Sequence, residues 1–371
     1  MDFDFTDDQE QLRDAVRKWV DKGYTFERRR SIVKAGGFSR GAFTELAELG
    51  LCGLYIAEDG GGMGMGPVDA MVVMEELGRG IVLEPLAQSL IAGGVLSGYA
   101  QSALKSGWLP RIASGEALVV LAHQERKARY RLDACEATAA QASSGWTVSA
   151  TKNMVPVGDQ ADAFLVPAQV KGKIALFLVE RSAKGVSTLG YGTQDGGRAA
   201  DLTLVNTAAQ LITLDGLSAL EHAVDIGIAS LCAEAVGVMD KTLAATLEYM
   251  NTRKQFGVLI GSFQALRHRA TDMKMQLELA RSMSYYASLK LNAPTEERRR
   301  AMARAKVQLG QSMRFVGQQA VQLHGGIGVT DELIISHYFK KLTQLEMTFG
   351  DNLHHLGEVS ARMQDSAGVF A

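Results

Sequence analysis

Cysteine, proline and net charge are all scarce in this chain, and each scarcity excludes something. Its three cysteines, Cys52, Cys135 and Cys232, are odd in number, far apart and without metal-type spacing, which argues against a disulfide framework or a zinc site. They read as reduced, buried thiols. His268, His324, His337, His354 and His355 show no ligand spacing either, since adjacent residues such as 354 and 355 point in different directions on a helix, and no metal is expected. A formal charge of −2 over 371 residues gives no general attraction to nucleic acid or an anionic membrane. The N-terminus, MDFDFTDDQEQ, lacks the basic flank and apolar run of a secretory signal, and no segment is expected to span a membrane, so a soluble cytoplasmic protein is the expectation. Five of the six prolines precede residue 168 and only Pro294 lies beyond it. The C-terminal half is therefore free to form long helices while the first half is punctuated.

What is present is a large apolar fraction, 47%, enough for a substantial core. Thr6 with Gln9 three residues on predicts a capping box opening a helix whose apolar side is Leu12, Ala15, Val16, Trp19 and Val20. A second helix is expected from Phe43 to Leu49. The glycine-rich run Ala57–Pro67 reads as a connector, because it lacks the strand-then-helix setting of a dinucleotide fingerprint. Helical spacing resumes over 68–78 and 83–96. After Gly115 the period changes, and short runs at 118–122, 146–151, 163–166, 174–179, 202–205 and 211–214 predict a compact antiparallel β domain.

From Leu217 the chain returns to helices. Stripes at Leu220, Val224, Ile228, Leu231, Ala235 and Val238, at Leu266, Ala270, Met273, Leu277 and Ala280, and at Met302, Ala305, Leu309, Met313 and Val316 step by threes and fours. A fourth helix is expected from Glu332 to about Met363, with Phe349 continuing the stripe of Leu342, Leu345 and Leu353 into the core. The expected fold class is α+β, with an N-terminal helical domain (1–115), a middle antiparallel β domain (116–215) and a C-terminal four-helix bundle (216–371).

The strongest functional signal is the turn RKQFGVLIGSFQALRH, residues 253–268, which brings Arg253, Lys254 and Gln255 to one exposed end of the bundle. The run QLHGGIGVT, 322–330, ends the third helix. Glycine at 325 or 326 serves as a helix C-cap, and with Gly328 it leaves bare backbone that a flat ligand or phosphate can approach. Gln322 adds a donor and an acceptor, and Arg253 a cation for a diphosphate.

With these runs in view the whole chain resembles the acyl-CoA dehydrogenase family. The resemblance rests on the ELG and EDGGG segments, RKQFG, IGSFQALRHR and QLHGGIG, and more finely on TRKQFGVLIGSFQALRHRATDM, SLCAEAVGVM and YGTQDGGRAA, which are similar to the small subunit of pimeloyl-CoA dehydrogenase and its relatives. It implies FAD-dependent α,β-dehydrogenation of an acyl-CoA, electron transfer to an electron-transfer flavoprotein, and a homo- or hetero-tetramer with a large acyl-CoA dehydrogenase subunit. It also implies that Arg253, Gln255, Phe256 and Gln264 touch one FAD, and Gln322, Gly325 and Gly326 the FAD bound mainly by a neighbouring chain. A non-catalytic subunit that completes its partner's FAD site is the alternative.

The departures from the family pattern concern the chemistry. The usual base position falls on Phe349, and the alternative position on the first bundle helix falls on Gly227; neither is a carboxylate. Asp225, two residues before Gly227, is the candidate base, with Asp351 and Glu221 behind it. Where the family has Thr-Glu-Pro this chain has Gln124-Glu125-Arg126, and the usual Trp-Ile-Thr reads Met154-Val155-Pro156, so a hydroxyl and a backbone N–H are missing from the flavin-ring contacts. The cluster Arg126, Lys127, Arg129 and Arg131 reads either as a partner for a carboxylate or CoA phosphate, or as a solvated face.

Overall fold

The structure is a computed structural model that describes residues 5–143 and 145–363. In chain order its helices and strands are α1 (Asp7–Lys18), α2 (Phe26–Lys34), α3 (Arg40–Glu48), α4 (Pro67–Arg79), α5 (Leu86–Tyr99) and α6 (Ser102–Ala113). Then come β1 (Val119–Leu121), β2 (Thr138–Ala142), β3 (Gly145–Pro156), β4 (Ala163–Val170), β5 (Lys173–Glu180), β6 (Val186–Gly192) and β7 (Arg198–Thr213). The last part is α7 (Gly216–Thr252), the short pair β8 (Lys254–Gln255) and β9 (Val258–Leu259), then α8 (Gln264–Lys290), α9 (Thr295–His324), α10 (Ile334–Met347) and α11 (Asn352–Met363). The helical, β and helical order is the one the sequence predicts. Two compact units are built from it: residues 5–29, Pro67–Val82 and 228–363 form one, and residues 30–66 and 83–227 the other.

In the first unit, α1 opens with the Thr6–Gln9 capping box, both reciprocal hydrogen bonds being made. The bundle helices α7, α8 and α9 bury the expected stripes, Ile228, Leu231 and Val238 among them. Helix α4 lies close against α7 because Gly78 faces the backbone of Glu234 and Gly237 faces the backbone of Glu75; a Cβ at either glycine would overlap the opposing carbonyl oxygen. Ion pairs surround this crossing. Arg17 forks onto the buried Glu76 carboxylate (2.6 and 3.1 Å), Arg79 bonds Asp240, and Arg281 bonds Glu75.

Two expectations fail in this unit. Helix α7 has 37 residues and is long and apolar enough to cross a membrane by length and composition, contrary to the expectation that no segment reaches that length. However, 89% of its most apolar window is buried inside the protein, and a helix enclosed on all sides is apolar on all sides. The fourth bundle helix is also two helices rather than one. It breaks at Thr348–Asp351, where Phe349 takes φ 58° and Gly350 φ 113°, and Asp351 restarts α11 by accepting the backbone N–H of His354 at 2.8 Å. Phe349 is therefore a half-buried turn residue, not a core residue on a continuous stripe, and Leu353 is 78% exposed.

In the second unit a seven-stranded sheet has the order β1-β4-β2-β3-β7-β5, with β6 added on β7 and a further β4–β5 pairing. It is not purely antiparallel as expected, since β1 and β2 both pair parallel to β4. The expected strands at 202–205 and 211–214 are one strand, β7, which ends at Thr213 and pairs with β3, β5 and β6. Strands β2 (TAAQA) and β6 (VSTLGYG) escape the sequence reading because neither buries a residue, so no apolar run or alternation marks them. Helix α6 escapes because Pro110 lies inside it. On the sheet's β1 edge the buried Gln88 side chain accepts the backbone N–H of Leu121 at 2.8 Å, and Asp162 accepts that of Leu118 at 2.7 Å.

Candidate functional site

Helix α7 ends at Thr252, and the chain reverses through the β8–β9 hairpin, a two-residue loop with Phe256 at φ 54° and Gly257 at φ 79°. Positive φ at both central residues is the type I′ turn whose twist matches a tight hairpin. The turn holds Phe256 92% exposed, its ring edge-on to Phe263 at 6.3 Å. Ile260 N–H closes the loop onto the Arg253 carbonyl at 2.9 Å. Next to it α9 ends at His324. Gly325 at φ 66° donates its N–H back to the carbonyls of Gln322 and Val321, the expected C-cap.

These pieces enclose a cleft of about 600 Å³ lined by Tyr249, Arg253, Gln255, Phe256, Gln322, Gly325 and Gly326, among others. Among the described residues the Arg253 guanidinium makes no hydrogen bond or ion pair, and a Cβ added at Gly325 or Gly326 would meet nothing within 4 Å. The cleft therefore combines an uncommitted cation, open backbone and an exposed aromatic ring, a donor set that suits a diphosphate joined to a flat heterocycle. Six of the seven residues expected to bind cofactor line this one cleft. Gln264 opens α8 on its exposed side and does not. The sequence reading assigns Arg253, Gln255 and Phe256 to one flavin and Gln322, Gly325 and Gly326 to one bound mainly by a neighbouring chain; within this chain all six line the same cleft. It misses Tyr249 and His324, which stack at 4.4 Å beneath the turn. Their signal is positional: Tyr249 lies one helical turn before Arg253, and His324 sits inside QLHGG.

A second cleft, of about 390 Å³, lies in the sheet unit and is lined by Gln124, Glu125, Arg126, Arg129, Asn153, Met154, Tyr191 and Asp201. Its floor is a distortion of β3. Met154 takes φ 51° at a register shift between Lys152 and Val155, and Asn153 N–H bonds the Gln124 carbonyl at 2.8 Å. Beneath it the Lys152 ammonium, fully buried, donates to Glu125 Oε1 at 2.6 Å and to the Pro167 carbonyl at 2.9 Å. Burial alone would raise the Glu125 carboxyl; the Lys152 ammonium and the backbone N–H groups of Glu136 and Ala137 outweigh it and hold it below the usual carboxylate range. Burial, with Lys152 nearby, pushes His123 down to about 4, so its imidazole is neutral at pH 7. Gln124, Glu125 and Arg126 of the first departure and Met154 of the second line this cleft, whereas Pro156 does not.

The candidate base Asp225 is fully buried on α7. Asp351 is engaged as the α11 cap. Behind the Phe349 turn the buried Lys306 ammonium donates to the carbonyls of Leu345, Glu346 and Thr348 at 2.9–3.0 Å, closing the end of α10.

The chain matches the model of the acyl-CoA dehydrogenase N-terminal domain over residues 6–116 and that of the C-terminal domain over residues 215–364. It belongs to the acyl-CoA dehydrogenase family. Acyl-CoA dehydrogenase FadE27 of Mycobacterium tuberculosis is 26% identical over 99% of this chain and 100% of its own length. Among solved structures, a variant of the Tcur3481–Tcur3483 steroid ACAD is 28% identical, covering 97% of this chain and 99% of its own, with a TM-score of 0.90. The ChsE4–ChsE5 complex from Mycobacterium tuberculosis contains a chain 27% identical, covering 99% and 100%, also with a TM-score of 0.90. As an acyl-CoA dehydrogenase, the protein is a flavin-dependent oxidoreductase whose cofactor is FAD. The uncommitted Arg253 and the open Gly325–Gly326 backbone fit that cofactor's diphosphate.

Proposed function

We propose that this acyl-CoA dehydrogenase is the smaller of two subunit types, of the kind found in pimeloyl-CoA dehydrogenase, and that it dehydrogenates an acyl-CoA to the trans-2-enoyl-CoA jointly with a large subunit. The observation that carries this reading is the contrast between its two halves. The bundle cleft carries six of the seven residues expected to hold the ADP part of FAD, while neither family base position holds a carboxylate: one is Phe349, in a left-handed turn, and the other Gly227. The Tcur3481–Tcur3483 and ChsE4–ChsE5 structures, each named for two proteins, support the same arrangement.

In this reading Arg253 pairs with the diphosphate, Phe256 covers the adenine end, and the Gly325–Gly326 backbone and Gln322 side chain hold the remaining oxygens, with Gln264 at the periphery. Bound FAD supplies the acceptor for the substrate's β-hydride, and electrons leave to an electron-transfer flavoprotein. A carboxylate must still take the α-proton. Asp225 is this chain's own candidate; otherwise the base lies on the partner, and the chain serves as a non-catalytic subunit completing the partner's cofactor site.

The test is FAD content and anaerobic flavin bleaching by a panel of acyl-CoAs, including pimeloyl-CoA, with the chain alone and with its co-encoded large subunit. Bleaching only in the complex, unaffected by Asp225→Asn, supports the completing role. Bleaching by the chain alone, abolished by Asp225→Asn with FAD retained, assigns the base to Asp225 and removes the need for a partner.

A further inference from the structure

One ring in the bundle cleft has no part in the reading above. His324 is the last residue of α9, is only 5% exposed, and lines the cleft with Arg253 and Gln322. It is held on two sides. Its Nδ1 lies 2.8 Å from the carbonyl of Ala320, one turn earlier on α9. The Tyr249 ring of α7 stacks on it at 4.4 Å with the planes 26° apart, and the Tyr249 hydroxyl donates to the His324 carbonyl at 3.4 Å.

A carbonyl oxygen only accepts, so the hydrogen of the neutral imidazole sits on Nδ1 and Nε2 carries the lone pair. Among the described residues Nε2 makes no hydrogen bond. Burial lowers the imidazole below its ordinary 6.5, with the Ala320 bond opposing the shift, so the ring is neutral at pH 7. The other titratable or charged groups lining the cleft are Tyr249 of α7 and Arg253 of the hairpin. Helix α8 brings Ala265 and Leu266 to it, and the turn after α9 brings Gly325 and Gly326. Arg253 has only donors, which suits a diphosphate, and a lone pair on a buried ring repels one. What Nε2 requires is an N–H or O–H.

We propose that His324 is a specificity residue of this cleft, its Nε2 accepting a hydrogen bond from the nucleoside end of the ADP group. The inference rests on the FAD reading of the cleft and deepens it. Tyr249 and Ala320 fix the plane and the tautomer in which the lone pair is presented. Two donors carry the required chemistry: the 6-amino group of adenine and a hydroxyl of the ribose.

The experiment titrates the flavin-free full-length protein, with its large subunit where it assembles with one. The ligands are FAD and its inosine, 2′-deoxyadenosine and 3′-deoxyadenosine analogues; the proteins are the parent, His324→Phe, His324→Gln and Arg253→Ala. His324→Phe keeps a stacking ring and removes the lone pair, so it should weaken FAD roughly three- to tenfold, with His324→Gln, which restores an acceptor, recovering part of the loss. From pH 8 to pH 5 the parent's Kd should rise as Nε2 gains a proton and a donor meets a donor, a component that His324→Phe lacks. If inosine alone lowers affinity in the parent and not in His324→Phe, the donor is the adenine amino group. If one deoxy analogue alone does so, it is that hydroxyl. If no analogue distinguishes the two proteins, the lone pair has no donor on the nucleoside and the proposal falls. Tighter binding by the parent at low pH also overturns it, since an imidazolium would then be meeting phosphate. Equal FAD affinity in parent and His324→Phe, with Arg253→Ala at least tenfold weaker, overturns the role of His324 and leaves the cofactor reading standing. Unchanged affinity in both variants overturns that reading and the inference with it. Urea unfolding of each flavin-free variant checks its fold; should His324→Phe not fold, the parent's pH profile and its four affinities, compared with those of His324→Gln, decide.

Discussion

Lys152 and Glu125, 27 residues apart in sequence, meet at 2.6 Å where neither reaches solvent, and the pair fixes both sides of the sheet-unit cleft. Removing one partner leaves the other charge buried alone, which costs about 3–5 kcal/mol, more than the intact pair contributes over an apolar replacement of both. Lys152→Met is therefore expected to lower the urea midpoint strongly, and Lys152→Met/Glu125→Gln to recover part of the loss. The Glu125 carboxyl lies below its ordinary value in the folded protein, so its contribution is present at neutral pH and is lost as pH falls through that lowered value. The difference between parent and Glu125→Gln should shrink on acidification.

Lys306 makes the opposite prediction. Burial pushes its ammonium down to about 8, against an ordinary value near 10.5, with Cys232 and Glu346 offsetting part of the shift. Between those pH values the unfolded chain holds the proton more tightly than the folded one, so stability rises with pH relative to a variant without the lysine. Lys306→Met also leaves three carbonyls at the end of α10 without their donor, a cost of about 1–3 kcal/mol at pH 7. Urea unfolding at pH 7 and pH 9.5 should show the gap between parent and variant widening at the higher pH. A constant gap would mean that Lys306 titrates normally.

What the sequence made legible was local. The Thr6–Gln9 box, the bundle stripes and the Gly325 cap are each written within a few residues of where they act. The corner where α7 turns into α8 beside the end of α9 was legible because its two halves are contiguous runs, 253–256 and 322–326, although the sequence had no means of showing that one chain folds them around one cleft. The break at Phe349 was hidden because Leu342, Leu345 and Phe349 keep helical spacing up to the point where Gly350 ends it. The Lys152–Glu125 pair and the parallel β1–β4 pairing are set by contacts between distant segments, which periodicity does not encode.

The α4–α7 crossing tests whether glycine is required by space or merely tolerated. A methyl at Gly237 overlaps the Glu75 carbonyl, so Gly237→Ala forces the helices apart and is expected to cost about 1–3 kcal/mol despite alanine's better helix propensity. At Gly107, inside α6, an added methyl would meet nothing within 4 Å, and Gly107→Ala should instead stabilise by about 0.5–1 kcal/mol. Opposite signs from one chemical change, read by thermal and urea unfolding, would establish the close crossing.

The cofactor corner is tested by substitutions that spare the fold. The Arg253 guanidinium makes no bond to the described residues, and a Cβ at Gly326 points into open space with no φ constraint, so Arg253→Ala and Gly326→Ala should each change the stability of the flavin-free protein by no more than about 0.5 kcal/mol. If the cleft holds the ADP part of FAD, Arg253→Ala removes a charge-assisted contact to the diphosphate and Gly326→Ala places a methyl where the ligand approaches the backbone. Each should then weaken FAD retention at least tenfold, measured by titration of the flavin-free protein, or of its complex with the large subunit. Gly325→Ala is the informative contrast. Its φ of 66° strains any side chain, so it should lower stability and FAD affinity together. Loss of FAD in the first two variants without loss of stability would assign the cleft to the cofactor, whereas unchanged retention in both would place the flavin's ADP half elsewhere.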